Sequence, residues 1–281
     1  MRLLFLAAAF GLLTAASASA DAPNARAAYA ERRGLIEADT QCRLFTTSIR
    51  SALQVGAAQA RGALLRSGWT NAQMRELENA AVTAARARTC TDQRTTTAAA
   101  DVRRVFGMWV NAGTMEFPGW ERTWIARRAA VTDPAWRLSQ AVDAPIPAVF
   151  GVRQSGDAQH LTLVILVARG ATAPTSVTLV MRDAARARVQ EVSLTQRMSY
   201  GIEAGVPAPN AATSAPSTRT IEHLEGGRSQ AVFTFPDTAF RALMTLDPRE
   251  SVELRVSGRT TQRLFVEVGD VGAARAFLTI R

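Results

Sequence analysis

Two cysteines, Cys42 and Cys90, are the only ones in this 281-residue chain, and they stand on either side of a Ser67-Gly68 break. Cys42 lies 26 residues before Gly68 and Cys90 lies 22 after it. Both flanks are rich in Ala, Arg, Gln, Glu and Leu, which favour helix. Ser67-Gly68 is a stop signal, since Gly is the favoured residue just past a helix C-terminus. Thr70-Asn71-Ala72-Gln73 then reads as a capping box, with Trp69 placed to staple onto Met74. The spacing predicts one long helix to Arg66, carrying Leu44, Ile49, Leu53, Leu64 and Leu65, and a second running to about Cys90. At about 1.5 Å per residue the arms measure ~39 and ~33 Å, so both thiols reach nearly the same level of an antiparallel pair. A third helix starts at Thr91-Asp92 and carries Val102, Val105, Phe106 and Trp109.

Whether the thiols join depends on the compartment. The chain opens MRLLFLAAAFGLLTAASASA, with Arg2 as a positive n-region, Leu3 to Leu13 as an apolar run and Ala18-Ser19-Ala20 as a cleavage site. This is the pattern of a secretory signal peptide over residues 1–20, with a mature chain beginning at Asp21. The apolar run is shorter than the ~20 residues a bilayer core requires. The expected location is periplasmic or secreted, and there a Cys42–Cys90 disulfide forms. With no C-x-x-C spacing, the pair suits structure rather than redox chemistry or metal.

All 33 basic residues are arginine, against 24 acids, which gives a net charge of +9. An exported chain rarely meets nucleic acid, so the excess points to anionic envelope components or an envelope protein as partner. The hydrophobic share of 47% suffices for a core without metals or many disulfides.

Thr132-Asp133-Pro134 breaks the helical pattern and the texture turns to strands. His160 to Ala168 is apolar on both faces, like a central strand. Further strands are expected over Ser176 to Met181, Val189 to Met198 and Ala231 to Phe235. Ser251 to Val256 and Gln262 to Val268 alternate cleanly and form a hairpin through Ser257-Gly258-Arg259-Thr260. Gly205 to Thr218, rich in Pro, Ala, Ser and Thr, is expected to be a mobile insertion. Asp237 and Asp270 each follow a strand and are expected to cap a short amphipathic helix. The fold class is therefore α+β, with a helical hairpin or bundle domain over 21–131. A mainly antiparallel β-sandwich-like domain with short helices then covers 134–281.

From Trp136 to Arg281, the leading tryptophan, strand-rich body and late Phe277 helix resemble the invasion-associated locus B-like family of exported bacterial proteins. That resemblance implies a small β-sandwich of envelope-accessory character, without implied chemistry. The cysteines usual in that family are absent from this half.

Catalytic motifs are sparse. His160 and His223 have no H-x-x-H, H-E-x-x-H or H-x-H companion, and no cysteine remains to complete a zinc site, so neither metal nor cofactor is expected. The serine-elbow pattern G-x-S-x-G is missing, and the lack of lysine excludes a Ser-x-x-Lys nucleophile. Paired carboxylates need only meet in space, so a glycan or cell-wall hydrolase stays open.

The densest set of interface-forming side chains is FPGWERTWIARR, Phe117 to Arg128. Read as a short helix after Pro118, it sets Trp120 and Trp124 four residues apart, with Arg127 and Arg128 within reach of the indoles. Trp136 follows just past the break. These five residues are either a buried aromatic seam or an aromatic–arginine platform for an anionic glycan or protein partner. The expected function is a non-catalytic envelope binding or accessory protein. The alternatives are a carboxylate hydrolase and a structural subunit of a surface assembly.

Overall fold

The structure is a computed structural model and describes residues 22–143 and 145–280; the expected signal peptide lies outside the described residues. Helices come first and antiparallel sheets follow.

The long first helix of the sequence expectation is two helices, α1 (Ala22–Cys42) and α2 (Thr47–Arg66). The break has a local cause. The Asp39 carboxylate turns back to accept the Phe45 N–H at 2.9 Å and also binds Arg50. Thr46 then caps α2 by accepting from the Ile49 N–H, while Arg43 takes φ +52° to make the corner. At the far end of α2, Trp69 N–H bonds Leu64 O and Gly68 N–H bonds Leu65 O, the paired closure that a left-handed glycine permits. The Thr70–Gln73 capping box opens α3 (Asn71–Arg86), and Asp92 caps α4 (Gln93–Asn111).

Cys42 and Cys90 are disulfide-bonded, with Cα atoms 5.5 Å apart. The geometry behind the bond differs from a two-helix hairpin. Tyr29 donates to Glu78 at 3.1 Å, Arg33 pairs with Glu78 at 2.7 Å and Arg86 pairs with Glu37 at 2.7 Å. Partner numbers rise together, so α3 runs parallel to α1 and the disulfide closes the same series.

Strand begins earlier than expected. β1 (Thr114–Pro118) and β2 (Thr123–Arg127) form a hairpin inside the stretch expected to be helical. With β3 (Ala135–Val142), β4 (Ala148–Ser155), β5 (Ala158–Val167), β8 (Thr218–His223) and β9 (Ser229–Thr234) they build a seven-stranded sheet, ordered β1-β2-β3-β4-β5-β9-β8. The second sheet has the order β11-β10-β6-β7, from β6 (Ser176–Arg182), β7 (Ala212–Pro216), β10 (Ser251–Ser257) and β11 (Gln262–Glu267). The stretch expected as a mobile insertion thus supplies strand β7, which pairs with β6 from Ala212↔Arg182 to Pro216↔Thr178. The expected strand over 189–198 is coil leading into helix α5 (Leu194–Tyr200).

Two short helices complete the chain, α6 (Asp237–Leu243) and α7 (Val271–Leu278). Neither Asp237 nor Asp270 makes the expected side-chain cap. Pro236 holds the cap position of α6, and the Asp270 carboxylate is drawn instead to Arg66. The main apolar core joins α1, α2 and α4 to both sheets and α7, while Tyr29, Leu64, Leu65 and Met74 form a second cluster among α1, α2 and α3. The main core runs from Leu35, Leu53 and Phe106 of the helices through Trp124, Phe150 and Leu163 of the first sheet. It continues through Leu179, Leu254 and Val266 of the second sheet to Phe277 of α7.

Candidate functional site

The five residues singled out in the sequence do not form one platform. Trp124 is fully buried on β2, where its Nε1–H donates to Glu267 O at 2.9 Å and Val268 O at 3.0 Å. Its ring packs 6.2 Å from Phe150, whose ring lies 6.0 Å from Phe235. Trp120 is half-buried in the β1–β2 turn, and Trp136 is half-buried on β3. Arg127 reaches Ser139 Oγ at 3.5 Å. Arg128 stacks on Phe277 at 4.1 Å, not on an indole, and binds the carbonyls of Phe277 and Val110. The helical spacing of the tryptophans misled. TWIAR alternates between half-buried and buried at period two, which is the strand signal. Trp120 and the two arginines therefore sit at opposite ends of the hairpin.

The β1–β2 turn closes on a buried carboxylate. Glu267 accepts the Glu121 N–H at 3.0 Å and the Arg122 N–H at 2.8 Å, and Arg197 approaches it at 4.0 Å. Two successive amides aimed at one anion form a small backbone nest. Gly119 is required here, because a Cβ would collide with the Glu267 carboxylate. Burial pushes the Glu267 carboxyl above the usual carboxylate range, while the Arg122 and Glu121 amides and Arg197 pull the other way. Gln140 holds the Glu267 backbone from both sides, donating to its O at 3.1 Å and accepting its N–H at 2.8 Å. Burial likewise raises Asp270, against the bidentate Arg66 at 2.5 and 3.0 Å.

This polar centre supports α5, the element sequence reasoning placed in a strand. Ser193 and Gln196 form a capping box at its start, so the S-x-x-Q signal was present in the sequence. The helix has inverted burial. Its buried side chain is Arg197, which donates to the carbonyls of Arg249, Gly201 and Ile202 besides facing Glu267. Its three apolar side chains stand in solvent: Leu194 is 41% exposed, Tyr200 70% and Met198 82%. Leu194 lies over Gly68, where an added Cβ would sit 3.3 Å from it, and Glu121 lies beside Gly201. The half-buried Trp69 and Trp120 are the chain neighbours of Gly68 and Glu121, and Trp69 packs against the apolar cluster of Tyr29, Leu64 and Met74. The ground beneath is equally polar: Arg182 pairs with Glu250 at 2.5 Å, and Arg249 pairs with Asp247 at 2.8 Å and reaches Trp69 O at 3.5 Å.

Elsewhere the chemistry is thin. His160 and His223 are exposed on β5 and β8. Among the described residues no group of three or more His, Cys, Asp or Glu is arranged to hold a metal ion. A cavity of about 330 Å³ beside Asp133 and Gln154 has one acid in its lining. Another, of about 300 Å³ between α1, α3 and α4, is lined mainly by alanines with Glu31, Arg88 and Arg94. No helix among the described residues is long and apolar enough to cross a membrane. Comparison with protein-family models, curated proteins and solved structures finds no match to this chain.

Proposed function

We propose that this chain is an exported, non-catalytic accessory protein of the cell envelope that holds a protein partner on the surface around α5. The inverted burial of α5 carries this reading. A buried arginine and a group of exposed large apolar side chains are the informative departures from the usual inside–outside pattern, and here both fall within seven residues. The arrangement becomes favourable when a partner covers Leu194, Met198 and Tyr200, with Trp69 and Trp120 at the edge. Arg197 fixes the helix before the partner arrives, which lowers the ordering cost of binding. The Cys42–Cys90 disulfide and the signal-like N-terminal sequence support a location outside the cytoplasm. A β-sandwich-like packing of the two sheets is the finer architecture we propose, supported by the core they share. A carboxylate hydrolase is less well supported: the buried acids Glu250, Glu267 and Asp270 are engaged by arginines or backbone amides rather than facing a common cleft.

The test compares tagged wild-type chain with a Met198→Ser/Tyr200→Ser double variant as bait in envelope extracts. Both residues are exposed, so the thermal midpoint is expected to stay and the captured partner to be lost. Equal capture by the two baits would refute the assignment of this surface.

A further inference from the structure

The disulfide end of the helices carries a net positive charge. The segments that meet there, residues 37–50 and 86–104, hold seven arginines and four acids, a net charge of +3. The acids are already engaged. Glu37 pairs with Arg86, Asp39 with Arg50 and Asp101 with Arg104, while Asp92 accepts the Arg94 and Thr95 amides at the start of α4. Arg103 is held by Leu44 O and the Phe45 ring. Arg43, Arg88 and Arg94 remain exposed with no ion pair or side-chain hydrogen bond among the described residues. Their clustering is fixed by covalent and packing geometry. Arg43 adjoins Cys42, Arg88 lies two residues before Cys90, and Arg88 and Arg94 line the same cavity. Arg43 also sits at the left-handed corner between α1 and α2.

We propose that this end, through Arg43, Arg88 and Arg94, is a docking surface for an anionic phospholipid membrane. Three guanidinium forks held by a disulfide across the end of a helical layer match an array of phosphates better than one small anion. Guanidinium is also the side chain best suited to phosphate geometry. The surface is independent of the α5 site and lies at the other end of the helices. Gly68, under Leu194, and Cys90 are separated by α3, whose 16 residues span about 24 Å. A chain bound to lipid by one end thus keeps its protein-binding surface clear.

Co-sedimentation of the mature chain with phosphatidylglycerol/phosphatidylcholine vesicles, and with phosphatidylcholine alone, tests the proposal. Binding is expected only with phosphatidylglycerol and is expected to weaken steeply with salt, as exposed charge is screened. Each arginine near such a surface contributes about five-fold in partitioning, so Arg43→Gln/Arg88→Gln/Arg94→Gln is expected to lose on the order of 100-fold. An Arg169→Gln/Arg186→Gln/Arg259→Gln variant, of the same net charge but changed at exposed positions elsewhere, is expected to bind like wild type. Equal losses from both triple variants would reduce the effect to general basicity and overturn the proposal. So would absence of vesicle binding by the wild type, or binding to soluble dextran sulfate without vesicle binding.

Discussion

Trp124 and Arg127 are three residues apart on one strand, yet they stand in opposite relations to the fold. Trp124 fills the core and satisfies its indole N–H on β11 and the residue after it, so Trp124→Ala is expected to cost about 3–5 kcal/mol. Arg127 makes one long hydrogen bond to Ser139, and Arg127→Ala is expected to cost well under that, about 1 kcal/mol or less. Chemical denaturation of the two single variants checks the order; equal losses would contradict it. Glu267 adds a pH signature. Its folded carboxyl is raised by burial, so the folded chain holds this proton more tightly than the unfolded chain does. The penalty of ionising it is full above the raised folded value and absent below the ordinary value of 4.5, so stability is gained as pH falls through that window. Asp270 acts in the same direction. Glu267→Gln is therefore expected to flatten the stability–pH slope in that window relative to wild type, while an unchanged slope would place the titration elsewhere.

Among elements, α5 and the β1–β2 hairpin show what local pattern conveys. The helix caps at Thr70 and Asp92 follow from sequence because cap and amide lie within three positions. The hairpin β10–β11 was legible for a similar reason: strict alternation with a short connection specifies its own register. FPGWERTWIARR was harder, since tryptophans four apart also fit a helix and the deciding partner, Glu267, lies more than 140 residues away. In α5 the competition went the other way. VQEVSLTQRM alternates loosely, but the Ser193–Gln196 box and the distant anchors of Arg197 favour helix. Removing that anchor is informative. Arg197→Ala removes the buried guanidinium that faces Glu267 and donates to three carbonyls, and is expected to cost about 3–5 kcal/mol. Hydrogen exchange is expected to speed most over 193–205; protection there equal to wild type would show that α5 is held by other contacts.

At the scale of the whole molecule, the change from helix to strand was legible, but the sharing of one core between them was not. Helix and strand texture is local, whereas the packing of α2 on α4, β1 and α7 is set by residues such as Leu53, Phe106 and Phe277 that look alike in any core. The disulfide was legible because only one pairing of two cysteines exists, although a parallel α1–α3 arrangement, not a simple hairpin, brings them together. Closing a loop of 48 residues is expected to contribute about 4 kcal/mol, read as the loss in a Cys42→Ala/Cys90→Ala variant.

The claim at the centre of this account is that the apolar residues of α5 are covered in the assembled state. Met198 and Met108 are both strongly exposed, at 82% and 62%, but only Met198 lies in the proposed interface. Brief peroxide treatment of the wild-type chain, free and then captured in envelope extract, allows oxidation of each methionine to be measured by mass spectrometry. The account predicts that capture protects Met198 several-fold while Met108 oxidises as in the free chain. Oxidation of Met198 at the same rate in both states would contradict it.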